Sequence, residues 1–211
     1  MTTVTYNHII QPPCCNTRLS TPAYGSLNFS AKEFWTDGRT VDGLAPNDCG
    51  LRGCSCGSYF VLSQAEYFER VPLGANESVQ AQQVSDEKLH ELLALNVTNS
   101  TFQVAVRRRY WRYLNDPYRV LYREHRLEQL VTFPMFEITL TQRQNLNQLA
   151  SLLAVQKSPN WQELAEVYRE LGDRQAAQAA LGELDGNTSS LSLTTQVLLD
   201  KGIQGPVRYQ N

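Results

Sequence analysis

All five cysteines of this 211-residue chain fall in its first 56 positions, at Cys14, Cys15, Cys49, Cys54 and Cys56. No other feature restricts its folding as strongly. The count is odd, and the N-terminal stretch MTTVTYNHIIQPPCC has neither a basic start nor a long apolar run. Both facts argue against an exported disulfide framework and for a cytoplasmic protein. The cysteines mark off a segment with its own chemistry, and the hydrophobic pattern changes beyond it.

Residues 1–72 read as β-rich. Val4, Tyr6, His8 and Ile10 stand at alternate positions, as a half-buried strand requires. Asp37-Gly38 and Asp42-Gly43 are turn signals, and residues 58–62 read as a buried strand. Ser63 is expected to cap a short helix over 64–70. Residues 71–84 are polar and aperiodic, and the module boundary is placed there. From 85 to 202 the pattern is helical. Ser85 caps a first helix with Leu89, Leu92 and Leu93 as its stripe. A second covers roughly 101–114. Asp116-Pro117 starts a third carrying Val120, Leu121 and Leu127. Phe133 and Phe136 belong to an apolar connector. Thr141 and Gln144 frame a capping box for a helix with Leu146, Leu149, Ala150 and Leu153 inward. The tail after Gly202 reads as loose. The fold class is α+β: a small β-rich, ribbon-like N-terminal module (1–72) and an α-helical region (85–202).

Within the helical region, residues 158–184 form a helical hairpin. Trp161, Leu164, Ala165 and Tyr168 are spaced i, i+3, i+4, i+7; Gly172-Asp173 turns the chain; Ala176, Ala177 and Ala180 give a small-residue face. This resembles one tetratricopeptide repeat, with Trp161, Leu164, Ala165, Tyr168 and Ala177 in the family's positions. The resemblance implies a protein-binding role in which Trp161 and Tyr168 take part. An ordinary packed hairpin is the alternative.

Around the cysteines, Pro12-Pro13-Cys14, Trp35-Thr36-Asp37-Gly38 and Cys56-Gly57-Ser58-Tyr59-Phe60 resemble a group of uncharacterised bacterial proteins. Their N-terminal module is zinc-ribbon-like and continues into a helical region. A zinc ribbon uses two CxxC knuckles, a spacing that lets both thiolates of each reach one tetrahedral ion. Here Gln11 and Gly53 occupy the first position of each. Three readings stand: a ribbon that has lost its metal, a retained structural zinc on Cys14, Cys15, Cys54 and Cys56, and a redox or disulfide role. Without metal, the module would rest on Phe29, Phe34, Trp35, Tyr59 and Phe60.

Residues 106–126 carry Arg107, Arg108, Arg109, Arg112, Arg119, Arg123 and Arg126 among Tyr and Trp side chains. That mixture suits phosphate contact and base stacking. The alternative is a solvated arginine face paired with Glu128, Glu163 and Glu166. A formal net charge of −2 removes bulk attraction to nucleic acid. No apolar run is long enough to span a membrane. No Gly-rich phosphate loop, HExxH helix or GxSxG elbow is present, and His8, His90 and His125 are scattered. The expectation is a non-enzymatic interaction or adaptor protein acting on a protein partner through its helical region. A nucleic-acid module using Arg107, Arg108, Arg112 and Arg119 is the alternative, and an immunity or antitoxin-type protein a third.

Overall fold

The structure is a computed structural model that describes residues 4–24, 31–41, 48–74, 78–95, 97–127, 133–184 and 189–209. Its strands are β1 (Val4–Gln11), β2 (Leu19–Tyr24), β3 (Glu33–Trp35), β4 (Thr40–Val41), β5 (Leu51–Gly53), β6 (Tyr59–Val61), β7 (Glu66–Pro72), β8 (Gln82–Gln83) and β9 (Arg208–Tyr209). Its helices are α1 (Leu89–Ala94), α2 (Ser100–Leu114), α3 (Asp116–Leu127), α4 (Leu140–Ala154), α5 (Trp161–Leu171), α6 (Arg174–Gly182) and α7 (Ser190–Asp200). This is an α+β chain with small antiparallel sheets in its N-terminal part. It divides into two compact units, Met1–Ala31 with Asp42–Arg109, and Lys32–Val41 with Tyr110–Asn211. The division cuts α2 after Arg109 and assigns the Trp-Thr-Asp-Gly segment to the helical unit, so it does not follow the change of hydrophobic pattern at 71–84.

The first unit holds two sheets, ordered β2-β1-β7 and β6-β5-β8. Ile9 and Ile10 are both buried although they are neighbours in β1. A register shift against β7 accompanies this: Ile9 faces Glu69, Ile10 faces Tyr67, and Phe68 is the extra residue. Residues 64–70 are therefore not a helix. Leu62–Gln64 form one 3-10 turn, and β7 then pairs with β1. Tyr67, Phe68 and Val71 are strand formers, and β1 supplies the backbone groups that β7 needs. The polar stretch after β7 runs beside β2, with Ser20 N–H donating to Val79 O at 2.9 Å and Ala81 N–H to Ser20 O at 2.8 Å. Ser85 opens only a turn before α1, whose buried residues are Leu89 and Leu92. The apolar centre joins Ile10, Leu19, Cys54, Phe60 and Ala81.

In the second unit Trp35 is fully buried among Tyr118, Tyr122, Leu198 and Val207, with Phe133 and Phe136 packed against them. Trp35 and Phe34 therefore belong to the helical unit rather than to the cysteine module, and Phe29 lies outside the described residues. The inner face of α3 carries Tyr118, Arg119 and Tyr122, whereas Val120 and Leu121 are about half exposed; the side chain of Leu127 lies outside the described residues. The capping box of α4 is Thr139 with Gln142, two residues before the expected pair. The inward stripe of Leu146, Leu149, Ala150 and Leu153 is as the periodicity predicts. In the α5–α6 hairpin, Asn160 and Asp173 cap the two helices and Gly172 takes the left-handed turn at φ 81°. The tail is not loose. Val207 exchanges hydrogen bonds with Thr36, and β9 pairs with β3.

Candidate metal centre

Two hairpin tips in the first unit carry the cysteines. The β1–β2 connection presents Cys14 and Cys15, and the β5–β6 connection presents Cys54 and Cys56. The second tip is tightly wound. Cys54 N–H donates to Ser58 O at 2.8 Å and Gly57 N–H to Cys54 O at 3.0 Å. Gly57 has φ 86°, a conformation that a side chain would strain, so the turn depends on glycine. Buried Cys54 joins the apolar cluster with Ile10, Leu19 and Phe60, which anchors this tip, and half-buried Cys15 packs against the same cluster.

The four sulfur atoms lie within 4.8 Å of one another. They meet crosswise: Cys15 Sγ is 3.4 Å from Cys54 Sγ, and Cys14 Sγ is 3.6 Å from Cys56 Sγ. Adjacent Cys14 and Cys15 thus each face a partner on the other hairpin. Tetrahedral zinc with Zn–S bonds of about 2.3 Å sets its sulfurs about 3.8 Å apart. The observed spacing fits one such ion, and all five cysteines are free thiols. Cys49, at φ 55°, stands outside the cluster.

The electrostatics divide the four by role. Hydrogen bonds from the Ser58 hydroxyl and N–H hold the Cys56 thiol down at about 6. Those from Thr17 lower Cys15. Burial raises Cys14 and Cys54, helped at Cys14 by the neighbouring thiols. Each short sulfur contact therefore joins one acidic thiol to one resistant thiol. A metal ion would displace the remaining protons.

The other candidate residues are dispersed. In the first unit, Arg107 and Arg108 are half-buried on α2, and Arg109 is buried against Asp86 at 2.8 Å. In the second unit, Arg112 donates to Asp37 O at 3.1 Å. Fully buried Arg119 pairs with Asp37 and with Asp116, and Arg123 pairs with Glu33 at 2.7 Å. Glu166 is spent on Arg169 of its own helix, and Glu128 lies outside the described residues. Trp161 and Tyr168 are half-buried on α5.

Sequence reading missed the network at the centre of the second unit. Asp37 accepts from Arg119 and Asn115. Asn115 also donates to Glu170, which accepts Trp111 Nε1 at 2.8 Å. The signal was the Trp35–Gly38 motif itself. Trp35 fills the core, Thr36 holds Val207, Asp37 takes the buried arginine, and Gly38 lies under the Arg112 guanidinium.

The site and fold define a chain with a four-cysteine cluster that could hold a metal ion, joined to a helical region. No family model, curated protein or solved structure matches it. Among the described residues, no helix is long and apolar enough to cross a membrane.

Proposed function

We propose that the chain is a non-enzymatic interaction protein whose first unit is a divergent zinc ribbon built on a structural zinc ion, and whose helical unit contacts another protein. The convergence of Cys14, Cys15, Cys54 and Cys56 from two hairpin tips carries this reading. Four thiolates would close the zinc coordination sphere, leaving no position for water or substrate, so the metal's role is to hold the tips together. Protein contact is supported by exposed apolar side chains on the helical unit, among them Leu193 and Val197 one turn apart on α7 and Leu140 on α4. The arginines favour this over nucleic-acid binding, because Arg109, Arg119 and Arg123 are engaged by the chain's own carboxylates.

Metal content and free thiols, measured on protein purified under reducing conditions without chelator, test the zinc. The expected result is about one zinc per chain, lost together with stability in Cys14→Ser or Cys56→Ser. Metal-free, fully folded protein with all thiols free would end the zinc reading. Affinity capture from the native host tests the partner. Loss of a reproducible protein partner on Leu193→Glu with Val197→Glu is expected, and capture of no protein counts against the role.

A further inference from the structure

A second concave site in the first unit is separate from the cysteines. It is a cavity of about 430 Å³ bounded by β1, β2, β5, β7 and the 3-10 turn, within the size range of small-molecule sites. Its polar wall is built around Arg52, whose side chain is 5% exposed. Arg52 Nη1 donates to Asp48 Oδ2 at 2.6 Å and to Leu51 O at 2.7 Å. Both Asp48 oxygens are engaged, since the other accepts Gly50 N–H at 2.9 Å. Asp48 therefore fixes the guanidinium by one end. Among the described residues, Nε and Nη2 have no acceptor, and they form the fork edge of a buried cation that lines the cavity.

Three further groups line the same cavity. Thr21 is 6% exposed, lines the cavity, and its hydroxyl has no partner among the described residues. His8 stands opposite Thr21 in the β1–β2 pairing and meets Tyr67 edge-to-face at 5.2 Å. Tyr67 also lines the cavity and is about half exposed. Ile10, Leu62, Ala65 and Ala81 supply the apolar part of the wall, and Asp48, Gln80 and Gln83 add further polar groups. An occupant that accepts from Arg52 and Thr21 together would be held by a charge-assisted fork and a hydroxyl at once. The Nε–Nη2 edge matches a planar group that accepts two parallel hydrogen bonds.

We propose that this cavity binds a small monocarboxylic acid. Its carboxylate lies side-on to Arg52, within reach of Thr21 and His8, and its hydrocarbon body rests on Ile10, Leu62 and Ala65.

The test is an NMR titration of the full chain with hexanoate and benzoate, with hexanamide and benzamide as uncharged counterparts of the same shape. The acids should saturate with Kd of about 1 mM or tighter, shifting the resonances of His8, Thr21 and Arg52. The amides should bind at least about tenfold more weakly. Arg52→Lys keeps the charge but removes the fork, and should weaken the acids by about tenfold. Thr21→Val keeps shape and fold and should weaken them by about threefold to tenfold, so the proposal survives any misfolding of the arginine variant. Failure of either acid to saturate by about 10 mM would overturn it. So would equal binding of acids and amides, or acid binding unchanged in both Thr21→Val and His8→Gln.

Discussion

At the scale of single residues, the second unit is governed by charges removed from water. Asp37 and Arg119 are both almost fully buried, and each is the other's opposite charge. Asp37→Ala should cost about 3–5 kcal/mol in urea unfolding, because it leaves a buried guanidinium short of an acceptor. Arg119 Nη1 also donates to Arg112 O at 2.8 Å, and a loss below about 1 kcal/mol would mean that this carbonyl and Asp116 are enough for Arg119. Glu170 is a different case. Burial, reinforced by the Glu166 and Asp37 charges, pushes its carboxyl up to about 8. An unfolded glutamate titrates near about 4.3, so across the window between these values the folded chain keeps a proton that the unfolded chain has released. This group's contribution to stability therefore falls as pH rises from about 4.3 to about 8. Glu170→Gln mimics the protonated form, so its melting temperature should decline less than the parent's between about pH 5 and about pH 8. Parallel pH profiles would show that Glu170 is ionised in the native chain.

Among the elements, local signals were legible and long-range ones were not. The leucine period of α4, the Gly172 turn and the Asp116-Pro117 break all follow from a few neighbouring residues. Thr139–Gln142 and Thr141–Gln144 are equivalent as capping boxes in the sequence. What selects the first is the Gln142 amide, which also donates to Leu114 O at 3.1 Å and contacts Asn115 Oδ1, far away along the chain. Thr139→Ala should cost about 1 kcal/mol, while Thr141→Ala should lie within about 0.5 kcal/mol of the parent. The reverse order in chemical denaturation would return the helix start to Thr141. The same blindness explains β7, whose partner β1 precedes it by more than fifty residues. It also explains α3, where the ion pair to Asp37 turns Arg119 inward and leaves Val120 and Leu121 outside. The cysteine set was legible by residue type. Its crosswise pairing was not, because hairpin geometry decides which sulfur meets which.

For the whole molecule, the cysteine cluster and the buried network belong to different units, and they should respond to different treatments. In zinc-loaded protein, a chelator should remove amide-exchange protection from β1, β2, β5 and β6 while α4 to α7 keep theirs. Equal loss along the chain would mean that zinc does more than hold two hairpins. The closing of β3 by β9 has a consequence for biosynthesis. Residues 33–35 leave the ribosome long before their sheet neighbours, residues 208 and 209. At about 5–20 residues per second, Trp35 waits on the order of ten seconds as nascent chain before its cover is made. Until then the burial of this large aromatic side chain is incomplete, so chaperone demand should be greater for this segment than for the helices that follow it.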